Sequence, residues 1–593
     1  MRPVARRDAP MRLALALPLL AAAATPAAGR QWVVDSANGD DMATGDSPAT
    51  AFRTLERARS AVAEWRVHRL GDAPTGELRV LLRQGTYAPL RLEESDGGGS
   101  PASVVTWAAY PGEQPVISAG FRVPSSAVEA IPNPKLPGTT VQHVALSKLG
   151  FTPNEYGVLG GAKIDGCANQ KMEAHFGAKA LRLARYPNPF TNGTWRWLYV
   201  DSPVGWNPSC KKKSPTAPPC GASHQDFVWA AADSARVRQW AGEVDPWLHG
   251  YFQYDWFDTI GRISTILPGN STINIDPATP TYGTRPIQKG ARWLGLNLLS
   301  ELDAASEYWL DRKSGDLYFI APPLEGGGSR ERETGNGGVG RENDLVVSVN
   351  STALESNASH VRFEGLTVRY SQGNGMVLNG DHISVINCSS SHHGAIGILI
   401  NGSGNTVRGS AVHDVGCAAM AVTSGIRKTL APGNTTIQDN TLHDFSQWKR
   451  MYQPGIRFDS VGDHFINNTI YRAPHSGMLG RADNCLFEGN NFTELCTESG
   501  DAGAWYSGRS WADRGNAIVG NHFSRIRNTG APIPLQAQNV HAIHFDDQMS
   551  GYEVRGNTIA DCWAGIKLGG GRRTIITNNS FLRTRYAIEF DNR

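Results

Sequence analysis

Two acidic segments in the C-terminal half of the chain carry the residue types that acid–base chemistry needs. One, CTESGDAGAWYSGRSW, contains Asp501, and the other, AIHFDDQMSG, contains Asp546 and Asp547. Cleavage of a glycosidic bond uses two carboxyl groups, one as a protonated acid and one as a nucleophile or base. We therefore predict that Asp501 and either Asp546 or Asp547 form such a pair. The sequence leaves open which of them is the acid, and whether the reaction retains or inverts configuration.

Strand alternation indicates which neighbouring side chains face the same way. In GIRFDS and AIHFDD the large apolar residues alternate with polar ones, so Ile543 and Phe545 should point inward and Asp546 outward. A bulge at the end of that strand would turn Asp547 outward instead. Arginines can bind sugar hydroxyls or a carboxylate, aromatic rings can stack on a sugar, and histidines can donate hydrogen bonds. The candidate substrate-binding residues are Arg457, Asp459, His475, Trp505, Tyr506, Arg509, Trp511 and His544. The same outward column should include Lys567, Glu589 and Asp591.

A repeat must position these residues. Short strand-like runs end in a Gly, Asn or Asp turn, as at Gly365, Asn387 and Gly409, which are 22 residues apart, and further anchors follow at 22 residues or more up to Asn578. A constant repeat of 22 residues, with additional residues in some of the repeats, is typical of a solenoid whose coils carry insertions. We predict an all-β chain, a right-handed parallel β-helix (a pectin-lyase-like solenoid) with asparagines stacked from coil to coil at its turns.

Changes in composition divide the 593 residues into four parts. Residues 1–29 have basic residues followed by the apolar run 13–24, which predicts a signal peptide, with an uncleaved anchor as the alternative. Residues 30–125 should form the N-terminal cap, with an amphipathic helix over 51–65, and the first coils. The aromatic-rich and proline-rich residues 126–345 predict an inserted β-sandwich-like module with a flexible loop at 325–344. Residues 346–593 should form the main β-helix, whose last run has no cap, so we expect a truncated chain or a covered end.

Charge and cysteine content limit the partners. The formal net charge of +2 gives no reason to expect nucleic-acid binding. Among the eight cysteines, Cys210 and Cys220 bracket a loop and are the predicted disulfide. Cys485 and Cys496 are a second possible pair, and Cys417 is interpreted as a buried core residue. No histidine or cysteine spacing specifies a metal site, so no cofactor is predicted. We expect a secreted, extracellular protein with no membrane contact after signal cleavage, glycosylated at some Asn-x-Ser/Thr sites in a eukaryotic host.

Several segments resemble a known family. VVDSANGDD, FRTLERARSAV, LLRQGTYAPL, WAAYPGEQPVISAG, HGYFQYDWFDT and EYWLDRKSGDLY look like the corresponding parts of β-helix glycosidases related to glycoside hydrolase family 141, which includes α-L-fucosidase and xylan-cleaving members. The resemblance covers nearly the whole mature chain. DAGAWYSGR and HFDDQMSG look like the two carboxylate-bearing segments of that family. The resemblance implies a secreted enzyme that hydrolyses a complex polysaccharide, with Asp501 and one of Asp546 and Asp547 as the acid–base pair.

Two other functions fit the same residues. A polysaccharide lyase would use an Arg or Lys base, such as Arg457 or Lys567, with Ca²⁺ held by Asp459, Asp546 and Asp547. A non-catalytic glycan-binding or adhesion solenoid would bind sugar without turnover. The fold alone does not decide among the three.

Overall fold

Short strands separated by left-handed turns build this protein coil by coil. The computed structural model describes residues 29–67, 76–160, 167, 171–177, 179–189, 196–204, 226–279, 286–323, 344–529 and 539–591. The predicted signal peptide up to residue 28 and the predicted loop from 325 to 343 lie outside these ranges. Each complete coil of the parallel β-helix adds one strand to each of three long parallel sheets.

The three sheets are named in the order in which a coil visits them. The strands of the first sheet are Gln31–Val34, Leu78–Leu82, Val105–Ala109, Val361–Glu364, Ser384–Ile386, Thr406–Arg408, Thr436–Gln438, His464–Ile466, Leu486–Glu488, Asn516–Val519, Tyr552–Arg555 and Ile575–Thr577. Those of the second sheet are Thr86–Tyr87, Val116–Ser118, Thr367–Arg369, Ser389–His393, Ala411–Val415, Thr441–His443, Thr469–Tyr471, Asn491–Thr493, His522–Ser524, Thr558–Ala560 and Ser580–Leu582. Those of the third sheet are Leu90–Leu92, Thr352–Ser356, Asn374–Asn379, Ile398–Asn401, Met420–Ser424, Ile456–Val461, Met478–Asp483, Ala502–Gly508, Val540–Asp546, Ala564–Leu568 and Ile588–Phe590.

The turn between the first and second sheets explains the repeat. Its Gly, Asn or Asp residue has a positive φ in coil after coil, for example 68° at Gly365, 51° at Asn387 and 57° at Asp439. Gly adopts this region without penalty, and Asn and Asp tolerate it better than other residues. The next residue is often an asparagine, and these side chains hydrogen-bond from coil to coil, as in Asn468 Nδ2 to Asn490 Oδ1 at 2.9 Å. The predicted asparagine stack is present.

The N-terminal end of the β-helix is covered by the predicted amphipathic helix. This helix runs over Leu55–Val67, and its buried residues Leu55, Ala58, Ala61 and Val62 join the interior of the first coils. The helix thereby covers apolar core that the first coil would expose. Among the described residues, none of the helices has the length and apolar character needed to cross a membrane.

The middle of the chain is an insertion between two neighbouring coils. Val105–Ala109 pairs directly with Val361–Glu364, so the chain between them leaves the solenoid and returns. A four-stranded sheet contains Gly120–Arg122, Leu345–Ser348, Ala174–Phe176 and Lys179–Ala180, and a five-stranded sheet contains Glu129–Pro132, Thr140–Ala145, Asp316–Ile320, Glu307–Leu310 and Arg182–Leu183. A seven-stranded antiparallel sheet contains Arg185–Tyr186, Arg292–Leu296, Leu198–Pro203, Asp226–Trp229, Thr272–Ile275, Phe257–Leu267 and Trp247–Tyr254. In that last sheet Arg292–Leu296 also pairs with Trp247–Tyr254, which closes the strands into a ring around an apolar core.

Short helical turns connect these strands. The α-helical turns are Pro153–Tyr156 and Ser234–Val237, and the 3₁₀ turns are Pro48–Thr50, Glu94–Asp96, Ser125–Ala127, Leu146–Leu149, Ala231–Asp233, Arg238–Gly242 and Leu299–Glu301.

The described cysteines differ from the sequence expectation. Cys417 is buried in a core cluster, as expected, but it also forms an unexpected disulfide with Cys167, with their Cα atoms 6.1 Å apart. Cys485 and Cys496 are both free and buried, so the alternative that they pair with each other is wrong. The predicted Cys210–Cys220 disulfide lies outside the described residues. Because position 167 belongs to the inserted module, the observed bridge ties that module to the β-helix.

Candidate functional site

Several of the candidate residues meet on the outer face of the third sheet. Strand pairing places Tyr506, His544 and Lys567 opposite one another on three successive strands. Ile543 and Phe545, on either side of His544, are fully buried in the core, as the alternation predicts. We call Tyr506, His544 and Lys567 the central row. Arg457 and Glu589 continue this row at its two ends, through Leu479 and Lys567 respectively.

The alternation breaks at one point in two neighbouring strands. Ala504 and Trp505 are consecutive and both lie in the core, and so are Ala542 and Ile543, which pair with the same stretch. Two consecutive inward residues shift every outward position before them by one residue and bend the strand. As a result Asp501, on the N-terminal side of this break, comes to the same outer face as Tyr506.

Asp501 and Asp546 flank the central row rather than face each other. Asp546 pairs with Gly508, which follows Tyr506, whereas Asp501 precedes the strand Ala502–Gly508. Asp501 and Asp546 therefore do not lie opposite each other on neighbouring strands, and their carboxyl groups are not separated by a single strand spacing. The ammonium of Lys567 lies 3.5 Å from Asp501 Oδ1 and 3.7 Å from Asp591 Oδ2.

Asp546 is held by donors on its own face. The hydroxyl of Tyr506 donates to Asp546 Oδ2 at 2.7 Å, and the backbone N–H of Asp547 donates to Oδ1 at 3.0 Å. Burial, together with the neighbouring Tyr452 and Asp546, holds the pKa of Tyr506 well above its ordinary value. Tyr506 therefore stays protonated and remains a hydrogen-bond donor at any physiological pH. His544 Nε2 lies 3.9 Å from Asp546 Oδ1.

Asp547 also reaches the accessible side. It follows the end of the strand Val540–Asp546 in a turn with a φ of 25°, and its side chain is 30% exposed. Arg509 Nε donates to Asp547 Oδ2 at 3.2 Å. The turn thus presents both adjacent carboxyls, Asp546 inside the strand and Asp547 just past it.

Two glycines leave the space in which these side chains lie. A Cβ at Gly503 would come within 2.5 Å of the His544 Cβ, and one at Gly508 within 2.9 Å of the Asp546 Cβ. Real Cβ atoms do not approach so closely, so these two outward positions of DAGAWYSG exclude larger residues. The glycines of the motif serve the site by permitting close packing of the next strand.

The other candidate binding residues divide by accessibility. Trp511 is 50% exposed, and its indole Nε1 donates to Gln548 Oε1. Arg509 is exposed at the same end of the sheet. Asp459 pairs with Arg481 at 2.9 Å, and Arg457 Nη2 donates to the Tyr452 carbonyl and to Gln453 Oε1, both at 2.8 Å. Arg457 is therefore bound to the loop that precedes its strand.

Three predicted contacts are covered by protein. Trp505 is completely buried in the solenoid core between Phe458, Phe487 and Tyr552, so its prediction as a sugar-stacking residue is wrong. His475 is also buried and hydrogen-bonds with Ser476, which contradicts a direct contact with substrate. Burial lowers the pKa of His475 to about 4. His544 lies on the predicted face but is fully covered, so it supports its neighbours and does not itself present an accessible donor.

A buried ionic contact between module and β-helix was not predicted. Asp258 of the module accepts from Lys449 Nζ at 2.5 Å and from the backbone N–H of Arg450 at 2.9 Å. Burial opposes the charge on Asp258, but Lys449 and His249 outweigh it and hold the pKa of Asp258 well below its ordinary value. The adjacent cations in SQWKRMYQ and the acids in HGYFQYDWFDT were visible in the sequence. The sequence around each segment, however, gives no sign that the two segments contact each other.

Among the described residues, no group of three or more His, Cys, Asp and Glu side chains has an arrangement that could hold a metal ion.

Comparison with known proteins agrees with the fold. A family model described as "Periplasmic copper-binding protein (NosD)" matches residues 350–593. A solved structure titled "Glycoside hydrolase" is 14% identical, covers 95% of this chain and 96% of its own, and superposes with a TM-score of 0.65.

Two further solved structures superpose less well. The complex of XylC with xylose is 10% identical, with 93% of this chain and 86% of that chain covered and a TM-score of 0.38. The GH136 lacto-N-biosidase from Eubacterium ramulus is 11% identical, with 95% and 67% covered and a TM-score of 0.38. No curated protein matches this chain. At these identities the first structure shows that the two chains share a fold.

Proposed function

We propose that this protein hydrolyses glycosidic bonds of a polysaccharide, with Asp501 and Asp546 as the two carboxyl groups and Asp547 as the alternative to Asp546. One observation carries the proposal: Asp501 and Asp546 flank the central row of Tyr506, His544 and Lys567 on the outer face of the third sheet. A sugar bound between the two carboxyls over Tyr506, the member of this row that is not buried, would have a carboxyl group on each side of its glycosidic bond, as hydrolysis requires.

The neighbours of each carboxyl suit this chemistry. Tyr506 and the Asp547 N–H fix the orientation of Asp546, so it need not reorganise when the leaving group or water approaches. Lys567 lies beside Asp501 and its side chain is almost completely buried, which places a fixed positive charge next to that carboxyl. The two groups thus have different surroundings, which is how two similar acids take different roles.

The resemblance of DAGAWYSGR and HFDDQMSG to family 141 supports the same residues. Both segments lie along the outer face of the third sheet. The first contributes Gly503, Tyr506 and Gly508 to the site, and the second contributes Asp546. The superposition with a glycoside hydrolase over nearly the whole chain is compatible with this assignment. We propose on this basis that the substrate class is a complex polysaccharide.

We also propose that the protein acts outside the cytoplasm. Its first residues are typical of an export signal, and the described part of the chain contains the Cys167–Cys417 disulfide, which persists in oxidising compartments. N-terminal sequencing of exported protein should find a start close to residue 30. Retention of residues 1–29 would instead indicate an anchor.

The decisive experiment compares the wild type with Asp501→Asn, Asp546→Asn and Asp547→Asn on fucosylated, xylan and pectic substrates. Loss of a general acid or base should lower kcat by about 10²–10⁴-fold. Asp561→Asn, in an exposed ion pair after a strand of the second sheet, is the matched control and should retain activity. Saturated products, with loss in Asp501→Asn and in one of the other two variants, would support hydrolysis.

Other outcomes would support the other functions. Products that absorb in the ultraviolet contain unsaturated sugars and would indicate a lyase. Turnover that survives all three substitutions would contradict the assigned site. Binding without turnover in the wild type would favour the adhesion alternative.

A further inference from the structure

We infer that the loop 509–515 and the adjoining turn with Arg572 form a binding subsite for a sugar ring that carries an anionic group, next to Asp547. The inference rests on the proposed function in that it describes the substrate of the same cleft. It adds a chemical class, a carboxylated or sulfated sugar, and a residue on which that sugar stacks.

Trp511 is exposed and yet fixed in orientation. Half of its surface is accessible, while its indole N–H donates to Gln548 and the guanidinium of Arg572 lies 5.1 Å from the ring centroid. Exposing the apolar indole ring of a tryptophan to water is unfavourable. A ring that is already held at its edge and on one face loses little further conformational entropy when a ligand binds. The indole is thus preorganised as a stacking surface.

The position of Trp511 places it beside the acidic groups. Its partner Gln548 directly follows Asp547, and Arg509, two residues before Trp511, donates to Asp547. A saccharide that reaches Asp546 and Asp547 can therefore extend over the indole with its next ring.

The exposed charge around this ring is positive. Arg514 and Arg572 are exposed, and Arg514 Nε donates to the Ala512 carbonyl at 3.1 Å, which holds the guanidinium against the loop. The main-chain N–H of Arg572 donates to Ser550 Oγ at 3.0 Å, so its backbone is fixed too.

The negative charge beneath the loop is paired with Arg427, which Asp513 shares with Asp483 at 3.1 Å. Asp513 is fully buried and accepts from Arg427 Nη2 at 2.6 Å and from Ser510 Oγ at 2.5 Å. Because Asp513 is buried and paired, it offsets only part of the field that the outer arginines present to solvent. Arginine is suited to carboxylates and sulfates because its planar fork offers paired donors. Together, a stacking ring and exposed guanidinium groups select a sugar with an anionic substituent.

The test measures binding directly, in the Asp546→Asn background so that turnover does not interfere. The probes are oligogalacturonate, a sulfated galactan oligosaccharide and a neutral galactan oligosaccharide of equal length, titrated by calorimetry at low and high salt. The binding of the anionic probes should be at least about tenfold tighter than that of the neutral one and should weaken as salt rises.

Four variants locate the effect. Arg572→Gln should weaken the anionic probes about 5–20-fold and leave the neutral one unchanged, and the matched control Arg583→Gln, an exposed arginine beyond the second sheet, should change neither. Trp511→Ala should weaken all probes and Trp511→Phe should restore most of the affinity. Melting temperatures should be unchanged because the side chain is half exposed.

The outcomes separate this inference from the proposed function. Equal affinity for anionic and neutral probes, no effect of Trp511→Ala, or no binding of any probe would overturn the subsite. If the anionic probe binds as expected but turnover survives each of Asp501→Asn, Asp546→Asn and Asp547→Asn, the hydrolase site is wrong while the subsite stands. The preferred anionic probe, carboxylated or sulfated, identifies the substituent.

Discussion

Arg450 forms a buried ion pair with Glu498, which lies three residues before Asp501. Arg450 Nε donates to Glu498 Oε2 at 3.0 Å, and a second guanidinium nitrogen bonds to Oε1. The inserted module reaches the same glutamate, since Tyr251 donates to its carboxylate at 3.2 Å and Arg292 to its backbone carbonyl at 2.5 Å. The module thus contacts the turn that leads to Asp501 and helps to position it.

Glu498→Gln should both destabilise the protein and lower kcat. Breaking a buried pair leaves Arg450 charged without its partner, which costs about 3–5 kcal/mol. The double variant Arg450→Met with Glu498→Leu should recover much of the stability, because an apolar pair of similar size is often equivalent. We expect kcat to stay low in the double variant, since the turn has lost its anchor. Full recovery of kcat together with the melting temperature would show that Glu498 is only structural.

Tyr506→Phe should reduce kcat/KM without unfolding the protein. The substitution removes the donor to Asp546 and keeps the ring that contacts His544. A hydrogen bond to a charged group contributes about 1.5–3 kcal/mol, which corresponds to roughly a 10–150-fold loss. Steady-state kinetics and thermal melting check this, with Tyr471→Phe on the second sheet as the control. A loss of less than twofold would remove Tyr506 from the site.

Gly503→Ala and Gly508→Ala should abolish most of the activity. Each added methyl group would press on the strand that carries His544 and Asp546, at the distances given above. Overpacking of this kind costs about 1–3 kcal/mol and shifts the backbone. Gly269→Ala is the matched control because a Cβ there meets nothing within 4 Å. Activity equal to that of the control would show that the spacing of these strands does not matter for catalysis.

The protein should lose stability in mild acid through its buried histidines. Burial lowers the pKa of His475 to about 4 and that of His393 to about 3, compared with an ordinary value of 6.5. Between pH 6.5 and these values the unfolded chain binds protons that the folded chain does not, so the free energy of unfolding falls as the pH falls. Denaturant unfolding at several pH values measures this slope, and His475→Gln should reduce it. An unchanged slope in that variant would contradict the assignment.

The hydrolysis should proceed with inversion. Asp501 and Asp546 lie on opposite sides of the central row, which leaves more room than the ~5–5.5 Å between the carboxyls of retaining enzymes. Proton NMR of the first product, recorded before mutarotation, distinguishes the anomers. Retention of configuration would mean that Asp546 and Asp547, or another close pair, perform the reaction.

Local sequence was sufficient for the architecture. The nine turn anchors from Gly365 to Asn578 all have a φ between 51° and 68°, so the repeat of Gly, Asn and Asp reflects a steric requirement of the backbone. The alternation at Ile543 and Phe545 and the helix over Leu55–Val67 follow from similarly local periodicities. These features could be predicted because each depends on residues only a few positions apart.

Only the tertiary structure decided the geometry of the site. Two consecutive core residues, Ala504 and Trp505, bury the predicted stacking ring and bring Asp501 to the outer face, and their effect depends on how the neighbouring coil packs. The anchoring of the Asp501 turn depends on Glu498, Arg450 and module residues about 200 positions away. Periodicity reports which side of a strand a residue faces, but bulges, coil register and contacts between module and β-helix determine how far apart two such residues lie.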